Sequence, residues 1–497
     1  MTHPHLGPPL VPQGDLLRGK GEDEKSASRT KVTHPGPPLA ALIPAFPPVA
    51  GEGENSAERL KVGEDEKSAS RGKQTMAEKL LSRHNLAGTP VYAGDIIEAR
   101  IDGAMCHYHA AEPMHDLALQ AGFKDGLPRV WDPDRVFILL DHHQPTLNQA
   151  QADKNALIRR EVNRLGIKCF HDAEPGIAHQ MMADYGLMRP GELVVGNDSH
   201  TISYGALNCG GAGITRADML FVLLFGELWF QVPPTVKVVL DGKQQNYPIA
   251  KDIILYLAGK YGDDFAGSMS IEYAGTLVPQ LSIDSRMCLS AHGVEVGAKF
   301  ALFPFDDVTR EFVKKRTDKL YEPVAADAGA VYEKEIHLNV DEMPFVVAKP
   351  HQFGNVCPVD EVAGTRINQA QIGSCANGRF EDIEIAARML KGRKVAKGVR
   401  FLISPASQQV YLQCLKAGHV ETLVEAGAQV ITPGCGICQP KVGFLSDGEV
   451  CITATTRNFK GRKGSQQAEI YLGGPLTVAA AAVAGSIENP KEVFDEL

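Results

Sequence analysis

Three cysteines in the last third of the chain have the greatest capacity for chemistry. Cys435 and Cys438 form a C-x-x-C pair whose two thiolates can chelate one metal centre. Such a pair is typical of a redox dithiol, of half a zinc site, or of two ligands of an iron–sulfur cluster. Cys375 offers a third thiol in a Gly-Ser-Cys turn before a predicted helix, whose N-terminus favours an anionic thiolate or cluster. A second close Cys or His pair with zinc spacing is missing from the sequence.

A [4Fe–4S] cluster held by three thiolates keeps one iron without a protein ligand. An open position on a metal is typical of a Lewis-acid site rather than of an electron carrier. If the cofactor is a cluster, the cysteines therefore predict hydration chemistry. The other seven cysteines are interpreted as packing residues: Cys106, Cys169, Cys209, Cys288, Cys357, Cys414 and Cys451.

Polar residues follow directly after several predicted strands. The examples are the strand 135–140 before Asp141-His142, the strand 192–196 before Asp198-Ser199-His200, the strand 428–432 before the C-x-x-C pair, and the strand 450–455 before Arg457 and Arg462. Ligands of open α/β sheets bind beyond the carboxyl ends of the strands, so these loops predict one shared site. Taken singly, each loop also fits a turn with a helix cap.

The rest of the sequence predicts an α/β fold. Apolar strands alternate with helical patterns such as 149–165, 380–390 and 407–417, which favours parallel sheets with helices on their faces. The net charge of −9 disfavours a nucleic-acid partner. The longest nearly apolar stretch, 219–232, contains Glu227 and is too short to span a bilayer. We therefore expect a soluble, cytoplasmic protein.

Four segments are predicted along the chain. Residues 1–75 hold a proline-rich leader in which GEDEKSASR occurs twice, and we expect it to be disordered or even not to be natural coding sequence, with Met76 as the start. Three α/β domains are predicted at 76–233, 234–350 and 351–497. The first boundary is Pro233-Pro234, at the end of a predicted helical run, and the second is Lys349-Pro350.

Four motifs in this order resemble the aconitase superfamily. They are DSHT at 198–201, GSCANGRFED at 373–382, PGCGIC at 433–438 and RNFKGR at 457–462. The resemblance extends from about residue 76 to the C-terminus and is strongest to the large subunits of two-subunit dehydratases such as 3-isopropylmalate dehydratase and homoaconitase. It implies three α/β/α domains around a [4Fe–4S] cluster bound by Cys375, Cys435 and Cys438, with one iron lacking a protein ligand.

The resemblance also implies an activity and its residues. Relatives remove water from a hydroxy diacid and add it back, which predicts a hydro-lyase, with 3-isopropylmalate in leucine biosynthesis as the first substrate. Homoaconitate, citramalate, dimethylmalate and maleate are the alternatives. The implied roles are a proton-donating Asp141-His142 pair, a His179–Asp198 pair, a His200–Glu272 pair, and substrate contacts from Ser199, Arg457 and Arg462.

The chain departs from its relatives in three respects. Thr456 replaces an asparagine that normally lies against cluster and substrate, and the turn 106–112 does not align with the polar turn of the relatives. The swivelling domain of single-chain aconitases is absent, so a small swivel-domain subunit is expected to supply the serine base. Two other hypotheses are an RNA-binding regulatory relative and a zinc-stabilised scaffold without catalysis.

Overall fold

The computed structural model describes residues 72–494, except 143 and 440. The predicted leader, apart from its last four residues, lies outside the described residues. The described chain is a mixed α/β protein built on parallel sheets, as its alternating pattern predicts. No helix among the described residues is both long and apolar enough to cross a membrane.

The first segment forms a five-stranded parallel sheet in the order β4-β3-β2-β5-β6. A separate antiparallel ribbon pairs β1 with β7. The strands are β1 (Ile96–Arg100), β2 (Gly103–Cys106), β3 (Val136–Leu139), β4 (Cys169–His171), β5 (Leu193–Gly196), β6 (Gly210–Gly213) and β7 (Glu227–Gln231), and the helices are α1 (Met76–His84), α2 (Leu117–Gln120), α3 (Gln149–Leu165), α4 (Ala178–Asp184) and α5 (Arg216–Phe225).

The second segment forms a four-stranded parallel sheet in the order β10-β9-β8-β11. Its elements are β8 (Thr235–Asp241), α6 (Ala250–Tyr261), β9 (Ser270–Ala274), α7 (Ile283–Ala291), β10 (Phe300–Leu302), α8 (Asp307–Lys314) and β11 (Lys334–Asn339). A short 3-10 turn at Val294–Val296 follows α7 and becomes part of the site described below.

The third segment forms a seven-stranded sheet in the order β13-β12-β18-β17-β14-β15-β16. Strand β12 runs opposite to the other six strands, so its pairings with β13 and β18 are antiparallel and the remaining ones are parallel. Its elements are β12 (Val346–Ala348), β13 (Val356–Pro358), β14 (Gln369–Ile372), α9 (Ser374–Asn377), α10 (Phe380–Leu390), β15 (Arg400–Ile403), α11 (Gln408–Lys416), α12 (His419–Ala426), β16 (Gln429–Val430), β17 (Val450–Thr453), β18 (Glu469–Gly473), α13 (Pro475–Ala484) and α14 (Pro490–Val493).

The helical run predicted before Pro233-Pro234 is wrong in its second half. Helix α5 ends at Phe225, and residues 227–231 form strand β7 instead. Gly226 ends the helix because it adopts the left-handed region with φ +71°, and a Cβ at this position would collide with the Trp131 ring. The predicted domain boundaries stay predictions, although the sheets change close to both of them.

Helix α1 is anchored to the second sheet by a buried carboxylate. Glu272, in β9, accepts hydrogen bonds from the backbone N–H of Met76 at 2.6 Å and from the Tyr332 hydroxyl at 3.0 Å. Thr75 caps the same helix, because its hydroxyl accepts from Glu78 N and the Glu78 carboxylate accepts from Thr75 N. Glu272 therefore fastens the first helix to the second segment.

We expect Glu272 to make the stability of the protein fall as pH rises. Burial raises the pKa of Glu272 to about 7 from its ordinary 4.5, against the opposing hydrogen bonds from Tyr332 and the backbone. Its contribution is therefore fully present below pH 4.5 and is lost as pH rises through about 7. The melting temperature of the wild-type protein should fall by several degrees between pH 5 and pH 8, more steeply than that of Glu272→Gln. Glu335→Gln, a change at an exposed glutamate of β11, is the control, and equal slopes for wild type and Glu272→Gln would contradict the assignment.

Candidate active site

The carboxyl ends of three adjacent parallel strands place the first group of site residues. Strand β2 pairs with β3 on one side and with β5 on the other. His107 follows β2, the Asp141-His142 pair follows β3, and the DSHT motif at 198–201 follows β5. The side chains meet because parallel strands end at the same edge of the sheet.

Asp141 and His142 form a buried hydrogen-bonded pair. His142 Nδ1 lies 2.5 Å from Asp141 Oδ1, and Asp141 Oδ2 accepts from Ala178 N in the first turn of α4 at 3.1 Å. Burial opposes charge on both groups, yet the attraction between them lowers the pKa of Asp141 and raises the pKa of His142. The pair therefore favours an imidazolium that can donate a proton.

Asp198 is an anion surrounded by three histidines. The predicted hydrogen bond from His179 Nε2 is present at 3.0 Å, and His107 Nε2 approaches the other oxygen at 3.4 Å. Although burial opposes ionisation, the hydrogen bonds from His107, His179 and His200 hold the pKa of Asp198 well below its usual range. Burial lowers the pKa of His179, so this imidazole is neutral and orients Asp198.

The expected pairing of His200 with Glu272 is wrong. His200 Nε2 lies 3.1 Å from Glu295 Oε1, in the 3-10 turn Val294–Val296, and Arg457 Nε donates to the same oxygen at 2.7 Å. Glu272 cannot reach His200 because it lies inside β9 and is bound to the N-terminus of α1. The carboxylate partner of His200 is therefore Glu295, which the sequence analysis missed.

Glu295 is strongly held in its charged form. Burial opposes ionisation, but His200 and Arg457 lower its pKa far below the usual range of a glutamate. The pKa of His200 lies well above its usual range, because the Cys375 thiolate and Glu295 outweigh the effect of burial. The result is a charged His200–Glu295–Arg457 chain that connects the ends of the first and third sheets.

Replacing Glu295 with glutamine should lower kcat/KM by about a hundredfold, whereas Glu272→Gln should change it less than about threefold. The first change removes the anion that holds His200 and Arg457, and the second removes only an anchor of helix α1. Steady-state kinetics of both variants, assayed with the partner subunit, would check this. Equal losses in the two variants would contradict the assignment of Glu295.

The three cysteines lie just beyond the carboxyl ends of strands in the third sheet, Cys375 in the short helix α9 and the other two in a loop. Cys375 follows β14, and Cys435 and Cys438 follow β16, and all three are buried. The guanidinium of Arg379 holds the first loop, because it donates to the carbonyl oxygens of Cys375 at 2.6 Å and Ala376 at 2.7 Å. Gly434 brings the second loop close to Asp141, since a Cβ on this glycine would lie 3.4 Å from the Asp141 carbonyl oxygen. The loop that carries Cys435 and Cys438 therefore lies next to the Asp141-His142 pair.

The three cysteines are not arranged as the ligands of a single tetrahedral zinc ion. Sulfurs bound to one tetrahedral zinc lie about 3.8 Å apart. In the described part of the chain, these three sulfurs do not all lie within 4.8 Å of one another. Cys435 and Cys438 hydrogen-bond as a pair, which lowers the pKa of Cys438 well below the usual range and raises that of Cys435. All ten cysteines are free thiols, so these three are available as ligands.

Cationic and polar groups surround Cys438 in particular. Arg462 Nη2 lies 3.3 Å from its sulfur, and the hydroxyl of Thr456 lies 3.2 Å from it. The positive charges of two fully buried lysines, Lys251 and Lys463, also interact electrostatically with this thiolate. Positive charge around a set of thiolates stabilises an anionic metal–sulfur group. The donor set and its charge environment thus fit the cluster implied by the motifs.

Two of the predicted substrate contacts, Ser199 and Arg457, are hydrogen-bonded to each other. Arg457 Nη2 donates to Ser199 Oγ at 3.1 Å while its Nε binds Glu295. The Nε of Arg462 is buried and has no hydrogen-bond partner among the described residues. Arg457 is thus fixed by Ser199 and Glu295, whereas Arg462 keeps an N–H that is unpaired in the described part of the chain, the kind of donor that a carboxylate accepts from.

His107 and Tyr108 are further site residues that the sequence analysis did not assign. The Tyr108 ring stacks on His107 at 4.7 Å and lies 4.5 Å from His142. His107, Asp141 and His142 lie close enough to hold a metal ion, but both nitrogens of His107 already have partners, His109 N and Asp198. His107 is therefore held by these two hydrogen bonds, and its ring lies 5.0 Å from that of His142. His107 could have been predicted as a site residue because it directly follows strand β2.

Comparison with known proteins identifies the family that the four sequence motifs resemble. Residues 130–366 and 358–485 match the model of the Aconitase family (aconitate hydratase). The chain is 42% identical over 419 residues to 3-isopropylmalate dehydratase large subunit 1 of Methanopyrus kandleri, which covers 84% of this chain and 99% of that protein. The corresponding large subunit of Caldanaerobacter subterraneus is 39% identical over 421 residues, with 84% and 99% covered. A probable methanogen homoaconitase large subunit of Methanothermobacter thermautotrophicus is 37% identical over 422 residues, with 84% and 98% covered. The chain belongs to the aconitase family.

Proposed function

We propose that this chain is the large, cluster-bearing subunit of a hydro-lyase that isomerises 3-isopropylmalate by removing water and adding it back. The observation that carries the proposal is the convergence of three buried cysteines, an Asp–His pair and two arginines at adjoining strand ends. Relatives about 40% identical over nearly their whole length are named 3-isopropylmalate dehydratase large subunits. The three main sheets then correspond to three α/β/α domains around one cluster.

Cys375, Cys435 and Cys438 are the residues that would hold the [4Fe–4S] cluster. When bound, the cluster supplies an iron without a protein ligand that acts as a Lewis acid on the substrate hydroxyl. The protein contributes a buried setting for this chemistry, with Arg462 and Thr456 hydrogen-bonded to Cys438. Burial strengthens each of these interactions because it excludes water.

The Asp141-His142 pair is the proposed proton donor for the departing oxygen. Its 2.5 Å hydrogen bond fixes the imidazole ring, and the carboxylate keeps the imidazole protonated. A positioned acid of this kind contributes about 10²- to 10⁴-fold to the rate. After the water leaves, the neutral imidazole can accept a proton in the reverse step.

Substrate binding is assigned to the cationic side of the site. Arg457 and Arg462 bind the carboxylates, and Ser199 offers a further hydroxyl next to Arg457. Asp198, His200 and Glu295 hold Arg457 in place through a chain of hydrogen bonds, and Arg457 in turn binds Ser199. This arrangement recognises the malate core that all the candidate substrates share.

A small swivel-domain subunit is proposed to complete the site. The relatives are named large subunits, which implies a smaller partner. That partner would supply the serine that abstracts the carbon-bound proton, together with a loop that contacts the variable group of the substrate. A cytoplasmic location is proposed as well.

The test is anaerobic reconstitution of the chain with iron and sulfide, with and without the small subunit. Absorbance of the unsaturated diacid should appear with 3-isopropylmalate when both subunits are present. Full turnover by the large subunit alone would refute the two-subunit proposal. Absence of turnover by the assembled pair across the panel of hydroxy diacids would refute the hydro-lyase proposal.

Homoaconitate is the second candidate substrate. One relative of similar identity carries the homoaconitase name. Thr456, which replaces the asparagine of relatives, touches Cys438 through its hydroxyl and so alters the surface that faces cluster and substrate. The same panel, extended to homoaconitate, citramalate, dimethylmalate and maleate, separates the candidates by kcat/KM.

A further inference from the structure

Lys251 and Lys463 are fully buried cations without a carboxylate partner in the described part of the chain. Lys251 Nζ donates to the carbonyl oxygen of Thr455 at 3.0 Å and to His292 Nε2 at 2.7 Å. Lys463 Nζ donates to the carbonyl oxygen of Ile437. A carbonyl or an imidazole provides a hydrogen bond but no compensating charge. Each lysine therefore needs a negative charge nearby to offset its loss of solvation.

The carboxylates closest to Lys251 already have other partners. Glu295 is bound to His200 and Arg457. Asp252 accepts from the backbone of Val346 and forms no ion pair with Lys251.

Hydrogen bonds place both lysines beside Cys438. Lys463 binds the carbonyl oxygen of Ile437, the residue before Cys438. Lys251 binds the carbonyl oxygen of Thr455, and the hydroxyl of the next residue, Thr456, lies 3.2 Å from Cys438 Sγ. The cysteine ligands of the proposed cluster therefore supply the negative charge beside both lysines.

The two lysines also hold the loops that carry the site. Thr455 directly precedes Thr456 and Arg457, so the hydrogen bond from Lys251 fixes that turn. His292 donates through Nδ1 to the Cys288 carbonyl oxygen at 2.8 Å and accepts from Lys251 through Nε2. Ile437 lies between Cys435 and Cys438, so Lys463 holds the C-x-x-C loop from behind. Each lysine thus places a positive charge next to a loop that would contact the cluster.

We propose that Lys251 and Lys463 are positioning residues that serve as the buried counter-charges of the cluster cysteines and fix the loops 455–457 and 435–438. This role rests on one part of the proposed function, namely that the three cysteines bind the cluster. It assigns these lysines no contact with the substrate. Their positive charge should raise the reduction potential of the bound cluster and slow the loss of iron from it.

The test compares Lys251→Met and Lys463→Met with the wild-type chain after anaerobic cluster reconstitution. Dithionite titration followed by electron paramagnetic resonance should give a more negative potential for both variants. Iron should also pass to a chelator at least about threefold faster. Lys251→Arg and Lys463→Arg keep the charge and should restore the potential. Lys260→Met, at an exposed lysine in the last turn of α6, should match the wild type.

The outcomes separate this proposal from the proposed function. Wild-type potential and wild-type iron release in both methionine variants would overturn the counter-charge role. A wild-type chain that assembles no cluster would overturn both proposals, and a cluster with the expected lysine dependence but no turnover would overturn the proposed function alone. Where Lys251→Met does not accumulate as folded protein, Lys251→Gln and Lys463→Met carry the same expectation.

Discussion

Serine in place of Cys375, Cys435 or Cys438 is expected to abolish turnover, with a loss of at least about 10⁴-fold, because the site would lose the proposed cluster that polarises the substrate hydroxyl. Serine keeps the size of the side chain but replaces the soft thiolate that iron–sulfur clusters require. Bound iron should fall together with activity. The measurements are kcat with the small subunit present, and iron and sulfide content after anaerobic reconstitution.

Cys414→Ala is the matched control for these variants. Cys414 is a buried cysteine in α11, and it is not one of the three proposed ligands. Its replacement should cost some stability through lost packing but leave the iron content and kcat near wild type. Full activity in any one of the three serine variants would show that the cysteine concerned is not a cluster ligand.

Asparagine in place of Asp141 is expected to lower kcat by about 10³-fold while changing KM by less than about threefold, because the proposed proton donation acts on the transition state and not on substrate binding. The carboxylate raises the pKa of His142, so its removal lowers that pKa. An acid with a lower pKa loses its proton at lower pH. The alkaline limb of the kcat profile should therefore move to lower pH in Asp141→Asn.

His171→Asn is the matched control for Asp141→Asn. His171 ends β4, next to β3 in the same sheet, and its imidazole is paired with Glu174 at 3.0 Å. This histidine lies at the same edge of the sheet but outside the proposed site, so kcat and its pH profile should stay near wild type. An unshifted alkaline limb in Asp141→Asn would contradict the proton-donor role of the pair.

The sequence predicts local elements well where caps and periodicity agree. Helix α3 spans the predicted residues 149–165, since Asn148 caps its start and Gly166, with φ +68°, ends it. Helix α10 likewise spans the predicted residues 380–390. The helix predicted to continue to Pro233 is wrong, because the apolar residues of this run fit a helix and a half-buried strand equally well.

The site could be predicted as far as strand order brings its residues together. The Asp141–His142 pair lies in a loop after β3, where strand order predicts site residues. The His179–Asp198 contact is the one that the family resemblance implies, and His179 lies in helix α4. The partner of His200 could not be predicted in this way, because Glu295 lies in a 3-10 turn of the second segment and not in a loop after a strand. The family resemblance assigned this role to Glu272, but Glu272 lies in β9 and binds the N-terminus of helix α1.

The proposed cluster can be tested most directly by Mössbauer spectroscopy of anaerobically reconstituted protein before and after addition of the hydroxy diacid substrate. We expect a [4Fe–4S] cluster in which one iron gives a distinct signal that shifts when substrate binds and is lost first on mild oxidation. Four equivalent irons that do not respond to substrate, or stoichiometric zinc in place of the cluster, would contradict it.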